Sequence, residues 1–411
     1  IGHFTTALEA LKSLPNSPAR TQYELSLQLA LGAPLAATKS PASPEVERAF
    51  TRARELCEQV GETAQLFPAL WGLWVFCLVR PELPRARELG EHCLTLAQSG
   101  HDPALRLEAH YALGITLLWL GEVARAQEHF EQALALYTPS QHHSLASRYG
   151  GYDPGLACLI DMAWILWLLG YQDQARKRMH KALSLAEELS HPLSLGMTLS
   201  WAAIFHQFRR EGHLAHERAQ AAMNLSTEHG FPTWLGFGTI VRGWVLAEQG
   251  QGEEGIAQIR QGIAIYRATG AENGRPYFLA LQAEAYGKTG KIEEGLSVLA
   301  EALAIVDKTG ERFYEAELYR LKGELTLQQS GVPNPQSEAE ACFLKAFEIA
   351  RRQSAKSLEL RAVTSLGRLW QRQDKREEAR EMLAEIYNWF TEGFATKDLQ
   401  EAKALLDELT D

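Results

Sequence analysis

Small and apolar residues recur along the chain in a fixed three-residue pattern. A small residue is followed four positions later by an apolar residue and three positions after that by a small or apolar one. The nine triplets are Ala49/Ala53/Leu56, Ala86/Gly90/Cys93, Ala126/Phe130/Ala133, Ala175/Met179/Ala182, Ala215/Ala219/Ala222, Gly255/Ile259/Gly262, Gly295/Leu299/Ala302, Ala339/Phe343/Ala346 and Ala379/Leu383/Ile386. Their first members lie 37, 40, 49, 40, 40, 40, 44 and 40 residues apart. A spacing that keeps returning to 40 predicts a repeated supersecondary unit.

A second small residue precedes most triplets by twelve positions. These residues are Gly114, Ala163, Ala203, Gly243, Ala283 and Gly367. Gly323 instead lies 16 positions before Ala339, which predicts a four-residue insertion in the turn at 331–335. Each unit is therefore predicted to be two helices that cross at small residues, because a larger side chain would separate their axes.

Turn residues agree with this division into helix pairs. Five positions before four of the triplets lie Gly121, Gly170, Gly250 and Gly290. The second helices are expected to end at Gly230, Gly270 and Gly310. Glycine just past a helix adopts the left-handed conformation at little cost. No segment alternates with period two, so almost no strand is expected.

Two triplets carry the pattern Ala-x-x-x-Phe-x-x-Ala, at Ala126–Ala133 and Ala339–Ala346, and resemble the tetratricopeptide repeat. The usual unit has 34 residues, so units of 40 predict longer helices or loops. The resemblance implies an all-α solenoid of helix-turn-helix repeats, about nine pairs, forming a right-handed superhelix. We predict one array over 1–411, divided into a truncated first helix at 1–15, repeats at 16–137, an insertion loop at 138–154, repeats at 155–395 and a capping helix at 396–411.

Several segments are similar to a narrower group of proteins. They are Tyr152–Cys158, Trp167–Tyr171, Glu188–Pro192, Trp389–Phe394 and Asp398–Leu406. Together they resemble the C-terminal repeat region of large bacterial signalling proteins, in which a class III nucleotide cyclase or kinase domain and an AAA/STAND-type ATPase come first. The resemblance implies a regulatory arm whose catalytic domains precede Ile1. Ile1 itself falls within a helical pattern, so we expect the sequence to be part of a longer chain.

Charge and cysteine content narrow the function classes. The 41 basic and 51 acidic residues give a formal net charge of −10, which argues against nucleic-acid partners. Five widely spaced cysteines favour a reducing, cytoplasmic compartment. The most apolar stretch, 66–79, has 14 residues, whereas a membrane span needs about 20. No membrane, metal or cofactor is predicted.

Motifs that look chemical have simpler interpretations. Gly250-x-Gly252-x-x-Gly255 resembles a dinucleotide fingerprint, but a predicted helix precedes it instead of a strand. His213 and His216 are three residues apart, not the four of a zinc helix. The pair at 142–143 lies in the insertion loop, where a polar loop is favoured over a chelate. No catalytic residue is predicted, and an enzyme is the least favoured class.

The first helix of each pair usually lines the concave face of such an array. In the tetratricopeptide register the aromatic inward residues are Tyr111, Trp164, Trp167, Phe237, Trp244 and Tyr277, which are our candidate groove residues. Aromatic side chains dominate binding hot spots. The alternative is that they form core between repeats. Inward residues of the C-terminal repeats are instead charged, including Glu317, Arg320, Glu324, Arg361 and Arg368.

Two functions remain open from the sequence. The first is binding of a protein or peptide partner, including domains of the same full-length chain, in the groove. The second is sensing of a small inducer molecule, as in ATPase-linked regulators. A sensor requires a closed pocket of a few hundred Å³, whereas a scaffold requires an open groove.

Overall fold

A computed structural model describes residues 1–61, 65–147, 149, 151–331 and 333–410. These residues form 21 α-helices, one short 3₁₀ helix at His143–Ser147 and no strand. The helices are α1 Gly2–Lys12, α2 Pro18–Lys39, α3 Pro44–Val60, α4 Leu66–Val79, α5 Leu83–Gly100, α6 Pro103–Trp119, α7 Val123–Leu136, α8 Pro139–His142, α9 Pro154–Leu168, α10 Gln172–Leu189 and α11 Pro192–Phe208. They continue as α12 Gly212–His229, α13 Pro232–Glu248, α14 Gly252–Ala268, α15 Arg275–Lys288, α16 Ile292–Thr309, α17 Glu315–Gln328, α18 Pro335–Arg352, α19 Lys356–Arg372, α20 Arg376–Tyr387 and α21 Lys397–Thr410.

The predicted all-α solenoid of helix pairs is confirmed. Every residue of the nine triplets is buried, and so are all seven small residues of the first helices. Consecutive helices pack on one another in pairs such as α11 with α12, α15 with α16 and α17 with α18. In the series α11, α13, α15, α17, α19 and α21, each helix also contacts the next one. Such packing is typical of stacked two-helix repeats. The handedness of the superhelix stays a prediction.

Helices α13 and α14 cross where glycine faces glycine. A Cβ atom added at Gly243 would lie 2.7 Å from the carbonyl oxygen of Gly255, and one at Gly255 would lie 2.5 Å from that of Gly243. Both distances are shorter than van der Waals contact. The 40-residue period therefore places small residues where two backbones touch.

Gly243→Ala is expected to reduce the free energy of unfolding by about 1–3 kcal/mol, because the added methyl group forces the two backbones apart. Chemical denaturation followed by circular dichroism measures the change. Gly212→Ala is the matched control, since a Cβ there meets nothing within 4 Å. An equal loss in both variants would show that close approach at the crossing is not the cause.

The predicted turn glycines adopt the left-handed conformation. Gly121, Gly170, Gly250 and Gly290 have φ between 74° and 93°, and the glycines that end the second helices have φ between 70° and 84°. Between α17 and α18 the connection runs from Gln329 to Asn334, where the insertion at 331–335 was expected. Val332 lies outside the described residues.

The predicted terminal segments and loop also contain helices. Helix α1 spans most of 1–15 and packs on α2. Part of the insertion loop at 138–154 forms α8 and the 3₁₀ helix, while Arg148 and Gly150 lie outside the described residues. At the C-terminus, α21 covers the apolar faces of α19 and α20 with Leu399, Ala402, Leu405 and Leu409.

Contacts divide the chain into two compact units. Unit 1 comprises Ile1–Leu117, Glu128–Cys158 and Arg267–Asn273, and unit 2 comprises Leu118–Gln127, Leu159–Tyr266 and Gly274–Asp411. Among the described helices, none combines the length and the apolar character that crossing a bilayer requires.

Candidate functional site

The predicted groove residues are buried. Their exposed fractions are 7% for Tyr111, 2% for Trp164, 1% for Trp167, 4% for Phe237, 2% for Trp244 and 2% for Tyr277. Tyr111 belongs to unit 1 and the other five to unit 2. Side chains this deeply buried meet other side chains of the same unit instead of solvent.

Three of the candidates surround one phenylalanine in unit 2. Phe208, at the end of α11, stacks on Trp167 with ring centroids 4.7 Å apart. Trp164 and Tyr277 approach the same ring edge-on at 5.1 and 5.3 Å. The Tyr277 hydroxyl donates a 2.8 Å hydrogen bond to Gln207 Oε1. Three different helices, α9, α11 and α15, therefore meet through aromatic side chains at this point.

The other two candidates of unit 2 have partners other than Phe208. Phe237 packs with Tyr266 and Phe278 at centroid distances of 5.0 and 5.3 Å. Trp244 donates a 2.8 Å hydrogen bond from Nε1 to Glu284 Oε2. The indole lowers the pKa of Glu284, but burial outweighs it and the pKa is raised.

The burial of the six candidate residues agrees with the alternative interpretation, in which they form core between repeats. A ligand could reach these rings only by separating helices that pack together in the structure. Their role as ligand contacts therefore stays a prediction.

Polar contacts join the early and late repeats of unit 2. Gln172, the first residue of α10, donates a 2.8 Å hydrogen bond to Ser357 Oγ at the start of α19. The Ser357 hydroxyl donates in turn to the carbonyl of Trp167. Glu392 Oε1 accepts the backbone N–H groups of Asp173 and Gln174 at 3.0 and 3.1 Å. A carboxylate on free N–H groups at a helix N-terminus is a stabilising arrangement.

Ion pairs also join the early and late repeats of unit 2. The Arg361 guanidinium on α19 donates to Asp398 Oδ2 at 2.8 Å and to the carbonyl of Phe208, and it lies 5.2 Å from the Trp167 ring centroid. Arg210, in the turn after α11, pairs with Asp398 at 3.2 Å. Burial tends to lower the pKa of Arg361, but the neighbouring carboxylates outweigh it and the pKa is raised. Arg361 therefore stays charged.

A second buried pair adjoins the first. Arg320 donates to both oxygens of Glu317, at 2.8 and 3.0 Å, a two-point geometry that strengthens such pairs. Burial tends to raise the pKa of Glu317, but Arg320 and Arg361 outweigh it and the pKa is lowered. The charged inward positions predicted for the C-terminal repeats are thus brought together as one ion-pair network.

Part of this network lines a small cavity. A cavity of about 40 Å³ is lined by Arg320, Arg361, Thr364, Ser365, Arg368, Asp398 and Glu401. Arg368 pairs with Glu401 at 3.1 Å, and its side chain is 44% exposed. Arg368 is therefore a charged residue of the network that solvent reaches, and its inward position stays a prediction.

In unit 1, described residues of the insertion contact the first helices of the repeats. The Tyr149 ring lies 5.2 Å from that of Trp71 and 5.9 Å from that of Phe67, both on α4. Tyr152 places its hydroxyl 3.3 Å from that of Tyr111 on α6. The candidate residue Tyr111 is thus covered by the insertion.

The end of the insertion is held by a buried carboxylate. Asp153 accepts the Tyr137 hydroxyl at 2.9 Å and the backbone N–H of Leu156 at 2.9 Å, the latter capping α9. His143 Nδ1 lies 3.3 Å from the same carboxylate. His142 is buried and accepts the backbone N–H of Thr138 at 2.9 Å. Each histidine of the pair thus has a contact within the loop.

The other motifs occupy the places that their simpler interpretations expect. Gly250-x-Gly252-x-x-Gly255 forms the turn from α13 into α14. His213 and His216 lie on α12, where His213 is exposed. Within the described ranges, no group of three or more potential ligands is arranged to hold a metal ion.

Comparison with known proteins identifies the class of repeat. A tetratricopeptide repeat model matches residues 107–139, and a second one matches residues 156–180. The chain is similar to an uncharacterised protein of Rhizobium meliloti (strain 1021), with 24% identity over 366 residues, which is 88% of this chain and 35% of that protein. It therefore spans about a third of the length of this curated relative.

A solved structure shows the same fold at low identity. A Rap protein complexed with competence and sporulation factor has a TM-score of 0.62 and 13% identity, over 94% of this chain and 99% of that one. A STAND-type signal transduction ATPase of Pyrococcus horikoshii with a tetratricopeptide repeat sensor has a TM-score of 0.47 and 13% identity, over 94% of this chain and 54% of that one. Together with the two repeat models, the Rap structure shows that the chain is an α-solenoid with tetratricopeptide repeats.

Proposed function

We propose that this chain is the non-catalytic regulatory arm of a bacterial, cytoplasmic signalling protein of the ATPase or cyclase type. In this proposal it binds a protein segment, and domains that precede it in the full-length protein are the first candidates. The observation that carries the proposal is the repeat array itself, in which Arg368, at a position predicted to face inward, is accessible. The resemblance to repeat regions of multidomain signalling proteins supports the choice of partner.

Cavity size favours a protein segment over a small inducer. The inward cavity of about 40 Å³ is far below the few hundred Å³ that a closed ligand pocket needs. A larger depression of about 460 Å³, lined by Tyr286, Glu293, Glu294, Ser297 and Val298, is open to solvent. The sensor function is therefore the second candidate.

The proposal is tested by titrating this chain with the amino-terminal part of its full-length protein in a calorimeter. Binding is expected, and Arg368→Glu should weaken it about tenfold, because reversal of a contact charge opposes a complementary surface. Arg380→Glu is the matched control, since Arg380 is equally exposed but lies on the second helix α20. Absence of binding, or equal weakening by both variants, contradicts the proposal.

A further inference from the structure

The solvent-exposed face of helix α10 in unit 2 carries a run of basic side chains. Residue 179 of the run 176–181 is a methionine that is buried against the rest of the unit with Ala175 and Ala182. These three form one of the repeat triplets, so the packing of α10 does not depend on the basic side chains. The five basic residues of the run, all exposed, are Arg176, Lys177, Arg178, His180 and Lys181.

Acidic side chains leave most of this basic run without a counter-ion. The closest approach is that of Arg176 to Asp173, at 3.7 Å. On the second helices α3 and α5, in contrast, Arg54 and Arg87 each pair with a glutamate four residues later at 3.0 Å. Positive charge therefore remains available on α10. The side chains of the run that form no hydrogen bond or ion pair with any described residue are Lys177, Arg178 and Lys181.

The basic run also places like charges next to each other. Lys177 and Lys181 are four residues apart, so their side chains are neighbours on the helix surface, where like charges are destabilising. Arg176 and His180 have the same spacing. Burial lowers the pKa of His180, and the charges of Arg176 and Arg218 lower it further. Since the packing face of α10 gains nothing from this repulsion, the run indicates a role outside folding.

An exposed tryptophan lies at the start of the same helix. Trp389 is 37% exposed, and its ring centroid is 5.6 Å from that of Tyr171, the residue before α10. The segment that carries Trp389 is fixed to α10, because the N–H of Gly393 donates to Asp173 at 3.3 Å. Tryptophan and arginine are enriched among the residues that dominate binding energies. The start of α10 thus offers both an apolar ring and positive charge.

We propose that the basic run of α10 and Trp389 together bind an acidic segment of a partner protein. Carboxylates of the segment pair with Lys177 and Lys181, and one apolar side chain packs on Trp389. The site goes beyond the proposed function, because Arg368 lies on a different helix, α19. Its failure would leave the proposed function standing.

The size of the basic run favours a short peptide segment over a larger polyanion. Six helical residues extend over about 9 Å, a length that about three residues of an extended chain cover. Acidic residues limit the run at both ends, with Asp173 before it and Glu187 after it. The formal net charge of −10 also repels a long nucleic acid or an anionic membrane that reaches past the run.

The test measures binding of a fluorescein-labelled peptide in which glutamates surround one leucine. Fluorescence anisotropy should show binding that is lost when glutamine replaces the glutamates. Lys177→Glu combined with Lys181→Glu should weaken binding about tenfold, because carboxylates then face carboxylates. Trp389→Ala should abolish the advantage of the leucine peptide over one with glycine in place of leucine. A leucine peptide with no such advantage on the unchanged protein overturns the apolar part of the site.

A matched double variant separates the location of the charges from their number. Lys308→Glu combined with Lys345→Glu reverses as many charges, on exposed lysines of the second helices α16 and α18 of unit 2. This control should leave peptide binding unchanged. An equal loss in the two double variants, or no binding of the glutamate peptide to the unchanged protein, overturns the proposal.

A single variant tests whether the basic run serves folding instead. Lys177→Glu places a glutamate four residues before Lys181, an attractive spacing on a helix. The urea midpoint of this variant should therefore not fall, although its peptide binding weakens. A lower midpoint would mean that the run stabilises the fold, which overturns a binding role.

Other occupants of the basic run would each give a distinct result. Oligothymidylate that binds more tightly than the peptide would assign the run to a nucleic acid. Vesicles of phosphatidylserine and phosphatidylcholine that retain the unchanged protein but not the Lys177→Glu, Lys181→Glu variant would assign it to a membrane. A dimer that sedimentation velocity detects only in the unchanged protein would assign it to a second copy of this chain. Each of these three results overturns the proposal.

Discussion

Arg361→Met is expected to lower the free energy of unfolding by about 3–5 kcal/mol, because it removes a buried counter-ion that Asp398 and Glu317 share and leaves each of them with one arginine. Asp398 would lose its 2.8 Å bond and Glu317 a charge at 3.6 Å. The carbonyl of Phe208 would also lose its donor. Since these groups join early and late repeats of unit 2, the loss should appear as a lower midpoint in urea denaturation.

Arg380→Met is the control for this variant. Arg380 is 42% exposed and pairs with Glu377 on its own helix, whose carboxylate is 76% exposed. Such surface pairs contribute about 0–1 kcal/mol. A loss below 1 kcal/mol in Arg361→Met would mean that the closing network adds little to stability. The contact between early and late repeats of unit 2 would then depend on aromatic side chains.

The stability of the protein is expected to fall as the pH rises from 6.5 to 8, and Glu311→Gln should reduce that fall. Burial raises the pKa of Glu311 to about 8, although the N–H of Gly274 works against the rise. In the unfolded chain the group titrates near its ordinary value of 4.5. Between these values the folded state holds a proton that the unfolded state releases, so raising the pH favours unfolding.

The size of this effect follows from linkage. One such group changes the free energy of unfolding by about 1.4 kcal/mol per pH unit at most. Between pH 6.5 and 8, the free energy of unfolding of Glu311→Gln should therefore fall by roughly 1–2 kcal/mol less than that of the unchanged protein. Burial lowers the pKa of His110 to about 4, so its opposite contribution falls mostly below its ordinary pKa of 6.5.

Denaturation midpoints at several pH values measure the difference between Glu311→Gln and the unchanged protein. Glu377→Gln, which alters a carboxylate that is 76% exposed, serves as the control and should follow the unchanged protein. Parallel curves for Glu311→Gln and the unchanged protein would show that Glu311 is ionised in the folded state.

The sequence predicts the helix pairs because their determinants are local. Small residues at crossings, such as Gly243 and Gly255, and glycines after helix ends recur with the repeat and need no knowledge of distant contacts. Helix α21 was predicted from about 396 and begins at Lys397. Local capping and apolar periodicity therefore account for the array.

The state of the inward face could not be predicted in the same way. The sequence pattern of aromatic residues at inward positions is the same whether they line an open groove or are buried between packed helices. The difference lies in contacts such as Gln172 with Ser357, which are 185 residues apart in the sequence. No periodicity signals that two remote repeats of one unit will meet.

The buried acids were missed for a related reason. Glu108 lies on α6, three residues before Tyr111, and nothing in the sequence indicates that its carboxyl group is buried. Glu311 lies between α16 and α17 and accepts the backbone N–H of Gly274 at 3.0 Å. Both environments depend on how neighbouring repeats are packed, although an acid in an otherwise apolar stretch is a usable signal.

Hydrogen exchange of this chain, with and without the amino-terminal part of its full-length protein, tests the proposed function most directly. The account predicts added protection on the inward helices α17 and α19 and in the turn that contains Arg210, where the accessible charges lie. Protection confined to the second helices α16, α18 and α20, or no change in any segment, would contradict it.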